Sequence, residues 1–105
     1  MGGSNSGRWT PTSSTDKCAT LEFDAHLNSP QVNALATLVL NEILSVTLTS
    51  LPKQVVQVVK GNLLVGVLTG SQTSQLISCL QNGYEFKAKV LSVTGAMCSV
   101  RVSPL

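Results

Sequence analysis

Few residues of this chain can do chemistry, and they gather in 19-ATLEFDAHL-27. Glu22, Asp24 and His26 occupy every second position there, so an extended strand places all three on one face. His26 is the only histidine. A neighbouring carboxylate could tune it as a proton acceptor, and the same three side-chain types can ligate a weakly held cation. Base catalysis also needs a nucleophile, and no serine or cysteine stands where the sequence alone would deliver one to His26. A solvated strand face is therefore the expectation, with no catalytic set and no metal site. The segment 70-GSQTS-74 lacks the lysine and the preceding glycine of a phosphate loop, so it offers an anion only the free amides of a helix start at Ser71, Gln72 and Thr73. No cofactor is indicated, and a non-enzymatic chain is expected.

The cations point to a different kind of site. Only 11% of residues are charged and the net charge is +2, but residues 1–52 carry net −2 and residues 53–105 net +4. In 84-YEFKAKV-90, Lys87 and Lys89 alternate with Phe86, Ala88 and Val90, and Arg101 alternates with Val100 and Val102 in the last strand. Such a basic strand face can follow phosphates, with Tyr84 as the aromatic whose hydroxyl needs water or a partner. Lys53, Lys60, Tyr84, Lys87, Lys89 and Arg101 form the candidate nucleic-acid-binding set. Phe23 and Phe86 fall on core faces instead.

Residues 1–17, MGGSNSGRWTPTSSTDK, are dominated by Gly, Ser, Thr, Asn and Pro and read as a flexible tail. Within it Arg8 and Trp9 are the pair able to anchor on a partner. Residues 18–105 hold enough apolar side chains for one small domain. Cys18, Cys79 and Cys98 are odd in number and lack C-x-x-C spacing, so zinc ligation and a disulfide framework are not indicated. Buried free thiols are expected, the alternative being a Cys18 pairing with either of the others in an oxidising compartment. No apolar run reaches the ~18 residues of a membrane helix, and the N-terminus lacks a signal-peptide layout. No membrane association and a cytoplasmic location follow as expectations.

Periodicity orders the elements as strand 19–27, a short helix or packed loop over 28–38, strand 43–51 ended by Pro52, and strands 53–60 and 63–69 joined by Gly61-Asn62. A helix over 72–82 follows, capped by Ser71 and stopped at Gly83, then strands 84–94 and 98–103 around Gly95-Ala96. Gly66 inside a strand marks a bend, a bulge or the close approach of another backbone, with the bend favoured. The parity of apolar positions switches at Leu91, which fits a strand that bends or carries a bulge at a barrel corner. Adjacent hairpins argue for a mainly β fold with one or two short helices, an antiparallel sheet curled into a small barrel; a sandwich is the alternative.

The run 61-GNLLVGVL-68, the helix bearing Leu76 and Leu80, then 82-NGYEFKAKV-90 and 95-GAMCSVRV-102, resembles the C-terminal half of a HIRAN domain over about residues 55–102. The resemblance implies a small barrel of the OB, SH3 or HIRAN kind that binds single-stranded or 3′-ended DNA. The family's Asn-Pro-x-Asp segment is replaced here by 51-LPKQVVQVV-59. Two functions are carried forward. One is a nucleic-acid module for DNA or RNA on the basic strand face; the other is a protein-interaction or self-associating subunit using apolar strand edges and the N-terminal arm.

Overall fold

The computed structural model describes residues 17–50 and 53–105. The Arg8-Trp9 anchor and the stop at Pro52 lie outside them. Strand β1 is Phe23–His26, α1 Val32–Leu35, β2 Ile43–Thr49, β3 Val55–Lys60, β4 Leu63–Leu68, α2 Thr73–Gln81, β5 Phe86–Thr94 and β6 Met97–Pro104. Alternation decides the strands. In β5, Phe86, Ala88 and Val90 are buried, and in β6, Cys98, Val100 and Val102 are, while the residues between them face outward. The core is rich in valine, which packs well on a pleated surface.

All strand pairs are antiparallel, in the order β1-β6-β5-β2-β3-β4. The sheet curls until its two ends nearly meet, giving the mainly β, barrel-like architecture expected. Asn28, just beyond β1, closes the gap by exchanging backbone hydrogen bonds with Val67 of β4, at 2.8 and 2.9 Å. The Gln31 N–H then donates to Val65 O at 2.9 Å. The Asn28 side-chain amide also donates to Thr69 Oγ1.

Gly66 explains how that approach is tolerated. A Cβ there would lie 3.0 Å from Leu27 Cβ and 3.2 Å from Asn28 O. Two of the sequence's three readings therefore coincide at this strand, since Val58 pairs with Gly66 but Val59 with Leu64, leaving Val65 as an extra, bulged residue. At the Leu91 parity switch the structure has a bulge, one of the two forms the sequence left open. Val90 pairs with Val100 and Ser92 with Ser99, so Leu91 has no partner.

Both two-residue hairpins have glycine first, with φ of 60° at Gly61 and 59° at Gly95, as a type II′ turn requires. Helix α2 buries Leu76 and Cys79. Its start corrects the expected Ser71 cap: Gln72 is the N-cap and makes no side-chain capping bond. Its end is as expected, with Gly83 N–H donating to Leu80 O and Tyr84 N–H to Cys79 O in the Schellman pattern.

The cysteines overturn the free-thiol expectation in part. Cys18 and Cys79 form a disulfide across a sequence separation of 61, and Cys98 alone is free and buried. Spacing gave no sign of this, because the curl of the sheet and the docking of α2 are what bring residue 18 to residue 79. Burial also pushes the Cys98 thiol above its ordinary pKa.

Two stability measurements test this account. Gly66→Ala is expected to lower the free energy of unfolding in urea by about 1–3 kcal/mol, because the atoms it meets are a Cβ and a backbone oxygen that cannot swing aside. Cys79→Ser is expected to cost about 2–4 kcal/mol relative to the oxidised protein, and the gap should shrink when the parent is measured with reductant.

Candidate binding surface

The strand register sorts the expected site residues on the outer face. Lys89 stands between Ile43 of β2 and Arg101 of β6, and Arg101 in turn pairs with Asp24 of β1. One row across four strands thus reads Ile43, Lys89, Arg101, Asp24. In the next row Lys87 lies between Ser45 and Ser103. Arg101, Lys87 and Lys89 are brought together as the sequence suggested, on a face whose other members are largely hydroxyls.

Their electrostatic states differ. Arg101 binds Asp24 in a fork, Nε to Oδ1 at 2.8 Å and Nη2 to Oδ2 at 3.2 Å, with Glu22 at 3.9 Å. The hydrogen bond from Arg101 is the main cause holding the Asp24 carboxyl below its ordinary range, and the same bond raises the guanidinium. Arg101 is thereby already matched by acid. Lys87 and Lys89 have no carboxylate within ion-pair distance among the described residues.

Lys60 is committed elsewhere. Its ammonium lies 2.9 Å from Glu42 Oε2 and donates to Thr37 O at 2.8 Å and to Thr37 Oγ1 at 3.3 Å. Glu42 Oε1 accepts the Val39 N–H at 3.0 Å, and the Lys60 and Val39 hydrogen bonds together depress the Glu42 carboxyl. The Glu42 N–H donates back to Val39 O, and Glu42 and Asn41 continue the ladder onto Val90. The result is a braced turn over residues 39–42, with Asn41 at a φ of 68°. At its tip Val39 and Leu40 are each 64% exposed, and Ile43 beside them is 52% exposed.

Lys53 and Tyr84 do not join the basic row. Lys53 is exposed at the rim of a separate cavity of about 400 Å³, formed by the start of β3, the end of β4 and the start of α2 around Gly70 and Thr73. Tyr84 is half-buried against the core, and Phe86 is fully inside it. Phe23 is partly buried against the core as well, so of these rings Phe86 is closed to base stacking and Tyr84 and Phe23 keep only part of their surface for it.

Of the trio Glu22, Asp24 and His26, only the last two lie in β1, and they take an unforeseen form. No cluster of three His, Cys, Asp or Glu side chains able to hold a metal occurs among the described residues. Instead His26 pairs with Ser99 across β1 and β6, with Nδ1 2.8 Å from the Ser99 hydroxyl. A separation of 73 residues hid this partner from sequence reasoning. The braced apolar turn was hidden likewise, for nothing in 37-TLVLNEI-43 shows that Lys60 would hold it.

The chain matches no family model, no curated protein and no solved structure.

Both depressed carboxyls lend stability that is fully present above the ordinary carboxylate pKa and is lost as pH falls through the lower folded values, because the unfolded chain binds the extra protons first. In carbonyl-detected NMR, Asp24 and Glu42 are expected to titrate below the ordinary carboxylate range. In Lys60→Met, Glu42 is expected to move back toward that range while Asp24 stays, since the Lys60 hydrogen bond is the largest cause at Glu42 only.

Proposed function

We propose that the chain is a binding module that takes a protein surface on the apolar turn at 39–43. The observation that carries this reading is the bracing of exposed Val39 and Leu40 by the Lys60, Glu42 and Thr37 contacts. An apolar tip gains nothing from water, but covering it yields roughly 25 cal/mol per Å² of apolar area. A tip already held in one shape loses little conformational freedom on docking.

A second reading keeps nucleic acid as the ligand, favoured by Lys87 and Lys89 sharing one outward face with no carboxylate partner. Magnitudes place it second. With Arg101 and Lys60 engaged by acids, Lys53, Lys87 and Lys89 remain of the candidate set, and neutralising three phosphates gives a salt slope of only about −2 to −3. Half-buried Tyr84 adds little stacking. The HIRAN resemblance supports this second reading through its family's DNA ligands, with the basic face as the surface that would contact single-stranded DNA or RNA.

No helix among the described residues is long and apolar enough to cross a membrane. The Cys18–Cys79 disulfide supports an oxidising compartment over the cytoplasm expected from sequence.

The two readings separate by salt response. Self-association is the directly measurable form of the first. Sedimentation of the protein at high micromolar concentration is expected to show assembly that persists at raised salt and is lost in Leu40→Glu, a surface change that leaves the circular dichroism intact. A monomer whose salt-dependent binding to single-stranded oligonucleotides disappears in Lys87→Glu/Lys89→Glu would give the surface to nucleic acid instead.

A further inference from the structure

Ser99 and His26 do more than fill a cross-strand position. They line an open cavity of about 370 Å³ together with Asp24, Ala25, Leu91 and Ser92. The cavity owes its lining to the bulge in β5, where unpaired Leu91 lets that side chain join Ser92 beside the Ser99–His26 pair. Bulges are a common way of re-aiming side chains next to reactive groups. The next outward position of β6 is Arg101, which is held by Asp24, itself part of the cavity lining.

We propose that Ser99 is an acyl-acceptor nucleophile activated by His26, and that its substrates are small activated acyl esters or thioesters. The 2.8 Å contact is within the reach a serine and its base require. With the imidazole proton on Nε2, Nδ1 accepts the Ser99 proton as Oγ bonds to the acyl carbon. The bond from that carbon to the alcohol or thiol then breaks, and the departing group takes the proton from Nδ1. The product is an ester at Ser99 and a free alcohol or thiol, with no oxidant or reductant consumed. Ala25 and Leu91 give the acyl group an apolar wall. This site is separate from the turn at 39–43, so the binding readings stand or fall independently of it.

The test is acetylation by p-nitrophenyl acetate, followed by intact mass and peptide mapping, on the full chain with its disulfide formed. Lysine acetylation in the same sample reports that the reagent is active, and Ser92 is the neighbouring serine without a histidine partner. Acetyl is expected on Ser99 at least tenfold faster than on Ser92, and the Ser99 rate is expected to fall about 10²-fold in His26→Gln. Ser99→Ala should abolish that adduct and leave lysine acetylation unchanged. Modification of Ser99 no faster than Ser92, or at the same rate in folded His26→Gln, would overturn the proposal and leave the pair as a surface hydrogen bond. Should His26→Gln fail to fold, the Ser99-to-Ser92 rate ratio in the parent protein decides alone.

Discussion

Asn28 exchanges two backbone hydrogen bonds with Val67, and the rest of the architecture depends on that contact being allowed. An antiparallel sheet whose first and last strands stood apart would expose two rows of unpaired amides and carbonyls. Here the chain leaving β1 crosses β4 at the one place without a side chain, Gly66, with Leu27 and Asn28 against its Cα. The bulge at Val65 sharpens the bend of β4 at the same point. From the crossing, Gln31 reaches Val65 and α1 packs on β4, so Ala34 and Leu35 join the core. The segment that follows returns over the end of β3, where Lys60 meets Thr37 and Glu42.

Closure also decides which charges are free to act. Putting β1 beside β6 gives Arg101 an acidic neighbour, and the fork to Asp24 takes up much of its donor capacity. Putting the 37–42 segment over β3 turns Lys60 from a surface cation into a brace. Lys87 and Lys89 escape both fates because their neighbours across β5 are Ile43, Ser45, Ser103 and Arg101. The basic half of the chain is therefore less basic in effect than its residue count implies, and an apolar tip is held out where charge alone would have drawn attention.

The disulfide adds a covalent tie to these hydrogen bonds. It fastens the segment ahead of β1, a strand of four residues, to α2, whose Leu76 and Cys79 are sealed in the core. A short edge strand has few ladder hydrogen bonds of its own, so a covalent tie close to it limits fraying where the ladder is weakest.

Much of the fold was legible because it rests on local rules: alternation placed the strands, Gly61 and Gly95 the hairpins, Gly83 the helix stop, and the parity switch at Leu91 a bend or bulge. The same alternation put Lys87, Lys89 and Arg101 on an outer face. What escaped were pairings between residues far apart in the chain. Ser99 with His26 and Asp24 with Arg101 depend on strand order and register, Cys18 with Cys79 on the docking of α2, and Lys60 with Glu42 on the path of the 37–42 segment over β3. Periodicity fixes which side of a strand a residue occupies, and only the closed arrangement of strands fixes what stands opposite it. The sequence by itself thus determined a curled, mainly β domain and the facing of its lysines. The tertiary structure decided which cations are neutralised, which serine meets the histidine and which apolar residues remain outside, because those are matters of neighbours across the sheet.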